Sequence, residues 1–349
     1  MKALVKTEEA HGASYQTMPM PVPAEGEVLL QVGGAAICGT DLHVFAWNDW
    51  ATHNVHNIPL IMGHEFAGTV VELGPRCRDL KVGDVVAGET HITCGHCYQC
   101  RNGMRHICAN LIQPGLHRNG SFAEFMAYPE EFLVKLPKGI SMEQGTVLEP
   151  LGVGVSAVEN IRPAGDNVVV IGSGPIGLAV ILSAHAMGAS DITALDLSPY
   201  RLSLASKCGA TRTINTSSAD PTEAIMEVTH GVGADVIFDA SGSPAAISHC
   251  FKYLRKGGSV HLLGLPSSPT PIDLSPDVIF KEATIHGYHG RKIFSTWTRM
   301  INLIESGKID PLLMITHRVP LSEAVGAFEL LERGGDAGKI IFTFGGEGK

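Results

Sequence analysis

Between an apolar run at Val168–Ile171 and a helical pattern at Pro175–Met187 the chain reads Gly172-Ser173-Gly174-Pro175-Ile176-Gly177. A glycine-rich turn between a buried strand and a helix leaves few folds open. The glycines allow a tight turn, close approach of a pyrophosphate to the backbone, and close helix–strand packing. The helix start, at Pro175 and Ile176, offers unpaired N–H groups and a partial positive charge to phosphates. Asp196 closes the next strand-like run, DITALD, nineteen residues beyond Gly177, where a carboxylate takes both ribose hydroxyls and repels a 2′-phosphate. The pattern predicts a dinucleotide-binding βαβ unit that takes NAD rather than NADP, with Arg201 as the cation close enough to qualify that preference.

The alternation continues with helical patterns at 200–207 and 245–254 and apolar runs ADVIFDAS and SVHLLG. Repeats of this length predict a parallel sheet with right-handed crossovers. Before residue 150 the texture differs. Short β-rich runs at 26–33, 66–73, 82–86 and 122–128, bounded by Gly and Pro, predict a mostly β domain. Amphipathic stretches at 294–304 and 321–331 and a final KIIFTF run predict a return to that first domain, and the 345–349 tail is expected to fray. The expected division is 1–152 with 292–349, and 153–291.

At 349 residues, with 44% hydrophobic and 17% charged residues, the composition fits two globular domains. The net charge of −9, with no basic block, disfavours nucleic acid and anionic membrane as partners. No apolar run spans a bilayer and no signal-peptide pattern opens the chain, so a cytoplasmic location is expected.

Four of the eight cysteines fall within fifteen residues, Cys94-x-x-Cys97-x-x-Cys100-x7-Cys108. Four thiolates close a tetrahedral shell and leave no position for substrate, the pattern of a structural zinc. A second set is dispersed: Cys38-Gly-Thr40-Asp-Leu-His43, then Gly63-His64-Glu65, then Glu149-Pro150. One thiolate, one imidazole and one carboxylate would leave a fourth position open, as at a catalytic zinc. Each of these residues also has a structural reading, Cys38 and His64 as core residues and Glu149 as a surface acid.

These motifs, in this order and over essentially the whole chain, resemble the zinc-dependent medium-chain alcohol dehydrogenase superfamily. The resemblance implies a GroES-like catalytic domain with a zinc lobe beside a Rossmann-type coenzyme domain. It implies two zinc ions per chain: one held by Cys38, His64 and Glu149, with Glu65 an intermittent ligand or substrate contact, and one held by the four lobe cysteines. It also implies a proton relay through Thr40 and His43, a small-molecule alcohol substrate, and a homotetramer. Within the superfamily the stretch Trp47-Asn-Asp-Trp50, Thr90-His91 before the lobe, Gly287–Arg291 with Thr296-Trp297, and Ile315–Arg318 resemble the L-threonine 3-dehydrogenase branch, with His91 beside the substrate. Val153-Gly154 instead resembles the polyol branch. The expected reaction is oxidation of L-threonine to 2-amino-3-oxobutanoate with NAD; a polyol or cyclitol dehydrogenase with the same zinc chemistry is the alternative.

Overall fold

The computed structural model describes residues 1–344; the tail expected to fray, 345–349, lies outside the described residues. The chain forms two compact units, Met1–Glu149 together with the chain from Ile315 onward, and Pro150–Met314.

The first unit is built on strands β1 (Lys2–Lys6), β2 (Ser14–Thr17), β3 (Glu27–Ala36), β4 (Leu60–Ile61), β5 (Glu65–Leu73), β6 (Val85–Gly88), β7 (Phe125–Pro129) and β8 (Leu133–Lys135). The runs expected at 26–33, 66–73, 82–86 and 122–128 appear as β3, β5, β6 and β7, within a few residues at each end; β1, β2, β4 and β8 lie outside those runs. In the second unit follow β9 (Asn167–Ile171), β10 (Asp191–Asp196), β11 (Arg212–Asn215), β12 (Ala234–Asp239), β13 (Leu254–Leu262) and β14 (Thr284–Gly287), and the first unit is completed by β15 (Ile315–Pro320) and β16 (Lys339–Thr343).

In the first unit a seven-stranded sheet runs β15-β16-β3-β5-β6-β8, with β7 also on β3, and a small antiparallel sheet runs β2-β1-β4. β3 is buried on both faces over most of its length, as its nearly continuous apolar run demands. Its register sets Ala36 opposite both Glu65 of β5 and Ile341 of β16. Two distant segments thus meet at one end of β3. Phe45 stacks on Phe328 at 4.6 Å, and Phe122 meets Phe342 edge-on at 4.9 Å. The first pair ties the helix Gly39–Ala46 to the helix Ala324–Glu332, and the second ties the chain before β7 to β16.

The second unit is a six-stranded, all-parallel sheet in the order β11-β10-β9-β12-β13-β14. Counted from β9 this is the 3-2-1-4-5-6 order of a doubly wound dinucleotide fold. The unit continues past the expected boundary at 291 as far as Met314. The reason lies in its side chains: Arg299 pairs with Glu159 at 2.7 Å, Lys292 donates to Asn160 at 2.8 Å, and Met300 packs beside Gly152. Among the described residues no helix is long and apolar enough to cross a membrane.

Candidate active site and metal centres

The lobe gathers its four cysteines so that one sulfur from each lies within 4.8 Å of the others. Cys108 Sγ stands 3.6 Å from Cys94 Sγ and 3.8 Å from Cys97 Sγ. A tetrahedron built on Zn–S bonds of about 2.3 Å has edges of roughly 3.8 Å, so these spacings fit zinc. Backbone N–H groups of Cys94 and Asn110 point at Cys108 Sγ, and the Asn110 amide donates to Cys94 Sγ at 3.5 Å. That amide bond, with backbone donors, pulls the Cys94 thiol down to about 5, whereas burial pushes Cys100 up to about 11. Donors aimed at sulfur are what a bound thiolate cluster requires.

Of the dispersed residues Cys38 and His64 converge, and the carboxylate grouped with them is Glu65; Glu149 lies outside that group. Ligand atoms of Cys38, His64 and Glu65 lie within 4.8 Å of one another. Cys38 caps the Gly39–Ala46 helix, and His64 and Glu65 stand where β5 begins. Glu149 is buried and near enough to act electrostatically on Glu65. Two residues that sequence reasoning did not single out hold this group together. Asp41, 1% exposed, accepts the Cys38 N–H at 2.9 Å and faces His64 Nδ1 at 3.5 Å. A carboxylate behind an imidazole orients it for a metal, and His64 Nδ1 is buried with no closer polar partner. Lys339, 2% exposed, places Nζ 2.8 Å from both oxygens of Glu65 and also donates to the Ile37 carbonyl at 2.9 Å. Burial raises the Glu65 carboxyl above its usual range even against this cation. A lysine opening an otherwise apolar strand was the available signal, because a buried ammonium needs a partner. The soft-and-borderline donor set fits zinc here too.

Thr40 Oγ1 lies 3.8 Å from Cys38 Sγ. His43, three residues on in the same helix, receives the Asn48 amide at 2.7 Å and has Trp50 tilted against its ring at 5.5 Å. Burial lowers its pKa. Among the described residues no hydrogen bond joins Thr40 directly to His43. His91 is buried, and Glu89 Oε1 lies 2.6 Å from its Nδ1 while accepting its backbone N–H at 2.9 Å. A carboxylate at Nδ1 fixes the proton there and makes Nε2 the acceptor nitrogen. Glu89, two residues before His91, was not foreseen either.

In the second unit, Gly172 adopts φ +87, and a Cβ on Gly177 would lie 1.8 Å from the Gly172 carbonyl oxygen. A Cβ on Gly174 would meet nothing within 4 Å, which leaves open space above the turn. Asp196 accepts the N–H groups of Ser173 at 2.7 Å and Ser198 at 2.9 Å, so its carboxylate is held at the strand end beside the glycine turn. Gly172, Gly174, Asp196 and Arg201 line one cavity of about 530 Å³ with Thr216 and Ser241. The open cradle and oriented carboxylate fit a dinucleotide. Gly154 has a packing role: a Cβ there would come 2.5 Å from the Ala179 carbonyl carbon, so this glycine lets two helices approach.

Two family descriptions match the chain: an alcohol dehydrogenase GroES-like domain over residues 24–138 and a zinc-binding dehydrogenase over 175–306. The L-threonine 3-dehydrogenase of Bacillus velezensis is 43% identical over 342 residues, covering 98% of each chain. The 2R,3R-butanediol dehydrogenase structure from Bacillus subtilis superposes with a TM-score of 0.89 at 30% identity, covering 99% of each chain. An E. coli CFT073 alcohol dehydrogenase with NADH bound superposes at 0.90 with 26% identity, again over 99% of each. With its fold, its two donor clusters and its glycine cradle in agreement with these matches, the chain belongs to the zinc-dependent medium-chain alcohol dehydrogenase family.

Proposed function

We propose that this protein oxidises L-threonine to 2-amino-3-oxobutanoate with reduction of NAD. The observation that carries this reading is the 43% identity to an L-threonine 3-dehydrogenase along 98% of both chains. Trp50 tilted against His43, the Glu89-held His91 and the buried Arg291 add support, because they belong to the stretches that resemble that branch. The local likeness of Val153-Gly154 to polyol enzymes has a packing account at Gly154 and carries less weight.

In this reading Cys38, His64 and Glu149 hold the catalytic metal, with Glu65 as an alternate ligand, and Cys94, Cys97, Cys100 and Cys108 hold the structural one. When bound, zinc eases loss of the substrate hydroxyl proton and NAD accepts the hydride. Asp41 orients His64. Lys339 holds Glu65 back, so that its carboxylate is available without being committed to the metal. Thr40 and His43 carry the released proton outward, as a buried alcohol needs an exit for H⁺. His91, with Nδ1 fixed by Glu89, offers an acceptor nitrogen suited to a substrate ammonium. Gly172, Gly174, Pro175, Ile176 and Gly177 receive the pyrophosphate, and Asp196 and Arg201 the adenosine ribose.

Steady-state kinetics with NAD across L-threonine, sorbitol, xylitol and 2,3-butanediol tests the assignment. The expected kcat/KM for threonine is at least about tenfold above the polyols, because uncharged substrates leave the His91 nitrogen offered to the ammonium without its charged partner. A polyol preference moves the protein to the polyol branch and leaves the metal and coenzyme assignments standing.

The finer assignments follow the same reading. A homotetramer is proposed, supported by the edge strand β14, exposed at every residue, and by exposed Leu274, Ile279 and Phe280 in the same unit. Light scattering at micromolar concentration tests it, and a monomer refutes it. A cytoplasmic location suits eight free cysteines.

A further inference from the structure

The turn between the Gly39–Ala46 helix and the Asp49–Asn54 helix contains one side chain that serves both. Asn48 caps the second helix: its Oδ1 accepts the Ala51 N–H at 3.2 Å. That bond fixes which end of the amide is which, because only the oxygen can accept an N–H. The other end, Nδ2, is thereby turned to His43 Nδ1 at 2.7 Å. The Asn48 backbone N–H reaches the His43 carbonyl as well, at 3.4 Å.

We propose that Asn48 is a positioning residue for the proton relay, holding His43 as the neutral imidazole with its proton on Nε2. The inference rests on the relay reading given above. An Nδ2–H donor facing Nδ1 requires a lone pair there, so the neutral ring carries its hydrogen on Nε2. An added proton can only go to Nδ1, where it would set an N–H against the amide N–H₂. The imidazolium is therefore disfavoured: a proton taken up at Nδ1 displaces the amide, the Nε2 proton leaves to water, and proton exchange with water returns the ring to the Nε2–H form that Asn48 selects.

The surroundings oppose this little. On its own helix Asp41 is engaged with the Cys38 N–H and faces His64. On the next helix His53 bonds the Asp49 carbonyl, and Trp50 covers the ring. Burial is the cause that lowers the His43 pKa, in the same direction as the amide donor.

The test compares wild type with Asn48→Asp and Asn48→Ser in the zinc-loaded enzyme. All three residues can cap a helix, so the Asp49–Asn54 segment is preserved. Activity falls as His43 becomes protonated, so the acid limb of the kcat profile marks that step. A carboxylate in place of the amide accepts from Nδ1–H and stabilises the imidazolium. Asn48→Asp is expected to move the limb to higher pH by about one unit or more, with several-fold loss of turnover at pH 6.5. Serine caps but is too short to reach the ring, and it should move the limb by less. Independently of turnover, ¹⁵N spectra of the histidine rings, with His43 assigned by its absence in His43→Asn, should show Nδ1 unprotonated in wild type and protonated in Asn48→Asp. A wild-type ring with its proton on Nδ1, or an acid limb unmoved in both variants, overturns the proposal. Unchanged turnover and acid limb in His43→Asn overturn the relay reading, and the link to turnover with it; the ring spectra still report separately whether Asn48 sets the tautomer.

Discussion

The two metal-binding regions of this chain are built in opposite ways. The lobe takes all its donors from Cys94–Cys108, and a turn of helix with a few backbone N–H groups is enough to bring them together. The other brings together Cys38, His64 and Glu65, with the buried Glu149 near enough to act on Glu65, and leans on Asp41 and Lys339. Its geometry comes from sheet register: Ala36 pairs with Glu65 on one side and Ile341 on the other, which sets Lys339 over Glu65. In the lobe local spacing suffices, whereas the second site exists only once distant strands have paired. Damage to the lobe should therefore stay local, and damage to the second site should reach chemistry or the whole fold.

The largest expected effect is on chemistry. Cys38→Ser opens the dispersed shell alone, so turnover should fall by about 10³-fold or more, equivalent to roughly 4 kcal/mol at the transition state, while the fold and one zinc per chain remain. Metal analysis beside kcat checks both halves. Full wild-type activity from protein carrying a single zinc would break the two-site comparison outright.

Next comes the fold. Lys339 and Glu65 are 2% and 0% exposed at the side chain. Removing one partner of a buried ion pair leaves an uncompensated charge, which costs about 3–5 kcal/mol. Lys339→Met should lose that much in denaturant unfolding, and Lys339→Met with Glu65→Gln should recover part of it, because the two losses share one cause. A loss below about 1 kcal/mol would show that the pair is not the strut the register makes it.

The same contrast governs what the sequence reveals. The glycine turn and the cysteine lobe are contiguous, so residue type and spacing carry the inference directly. Cys38, His64 and Glu149 have ordinary structural readings, and family resemblance was needed to connect them. Asp41 and Lys339 escaped notice because their roles depend on neighbours 23 and 274 positions away, and Glu89, only two residues from His91, because its role depends on burial that no local pattern announces. In the coenzyme unit the central strands were legible as apolar runs. β11 and β14, at the sheet edges, were not, because exposed strands need no such run. The stretch 292–314 was assigned to the return because amphipathic periodicity says that a helix packs, not against what; Arg299–Glu159 and Met300 beside Gly152 decide that.

The lobe's own perturbation should be smaller and local. Tyr98 and Ile107 are exposed, and Arg105 ties the lobe to the body through Thr93 and Glu131. Cys97→Ser should lose one zinc and let the lobe open, so that trypsin cuts at Arg101 or Arg105 at least about tenfold faster while the core transition in denaturant is little changed. If the whole protein unfolds cooperatively with the lobe, the lobe is part of the core and the comparison fails.

The smallest effect separates ion pairing from burial. Arg318 and Glu143 make a two-pronged pair at 2.7 and 2.8 Å, better aligned than most, yet their side chains are 46% and 37% exposed. Water already solvates both charges, so Arg318→Ala should cost less than about 1 kcal/mol. The Arg318 guanidinium holds the Glu143 carboxyl below its usual range. A carboxyl with a depressed folded-state pKa contributes stability that is present above its unfolded value and lost as the pH falls through the folded one. The small difference between Arg318→Ala and wild type should therefore be seen at pH 7, begin to fade as the pH falls through the usual glutamate value of about 4.3, and be gone only below the depressed folded-state value. Lys339→Met and Arg318→Ala each remove one cation from one glutamate in the same unit. A several-fold larger loss from the first would assign the difference to desolvation set by the strand register; equal losses would mean that the buried pair is reached by water.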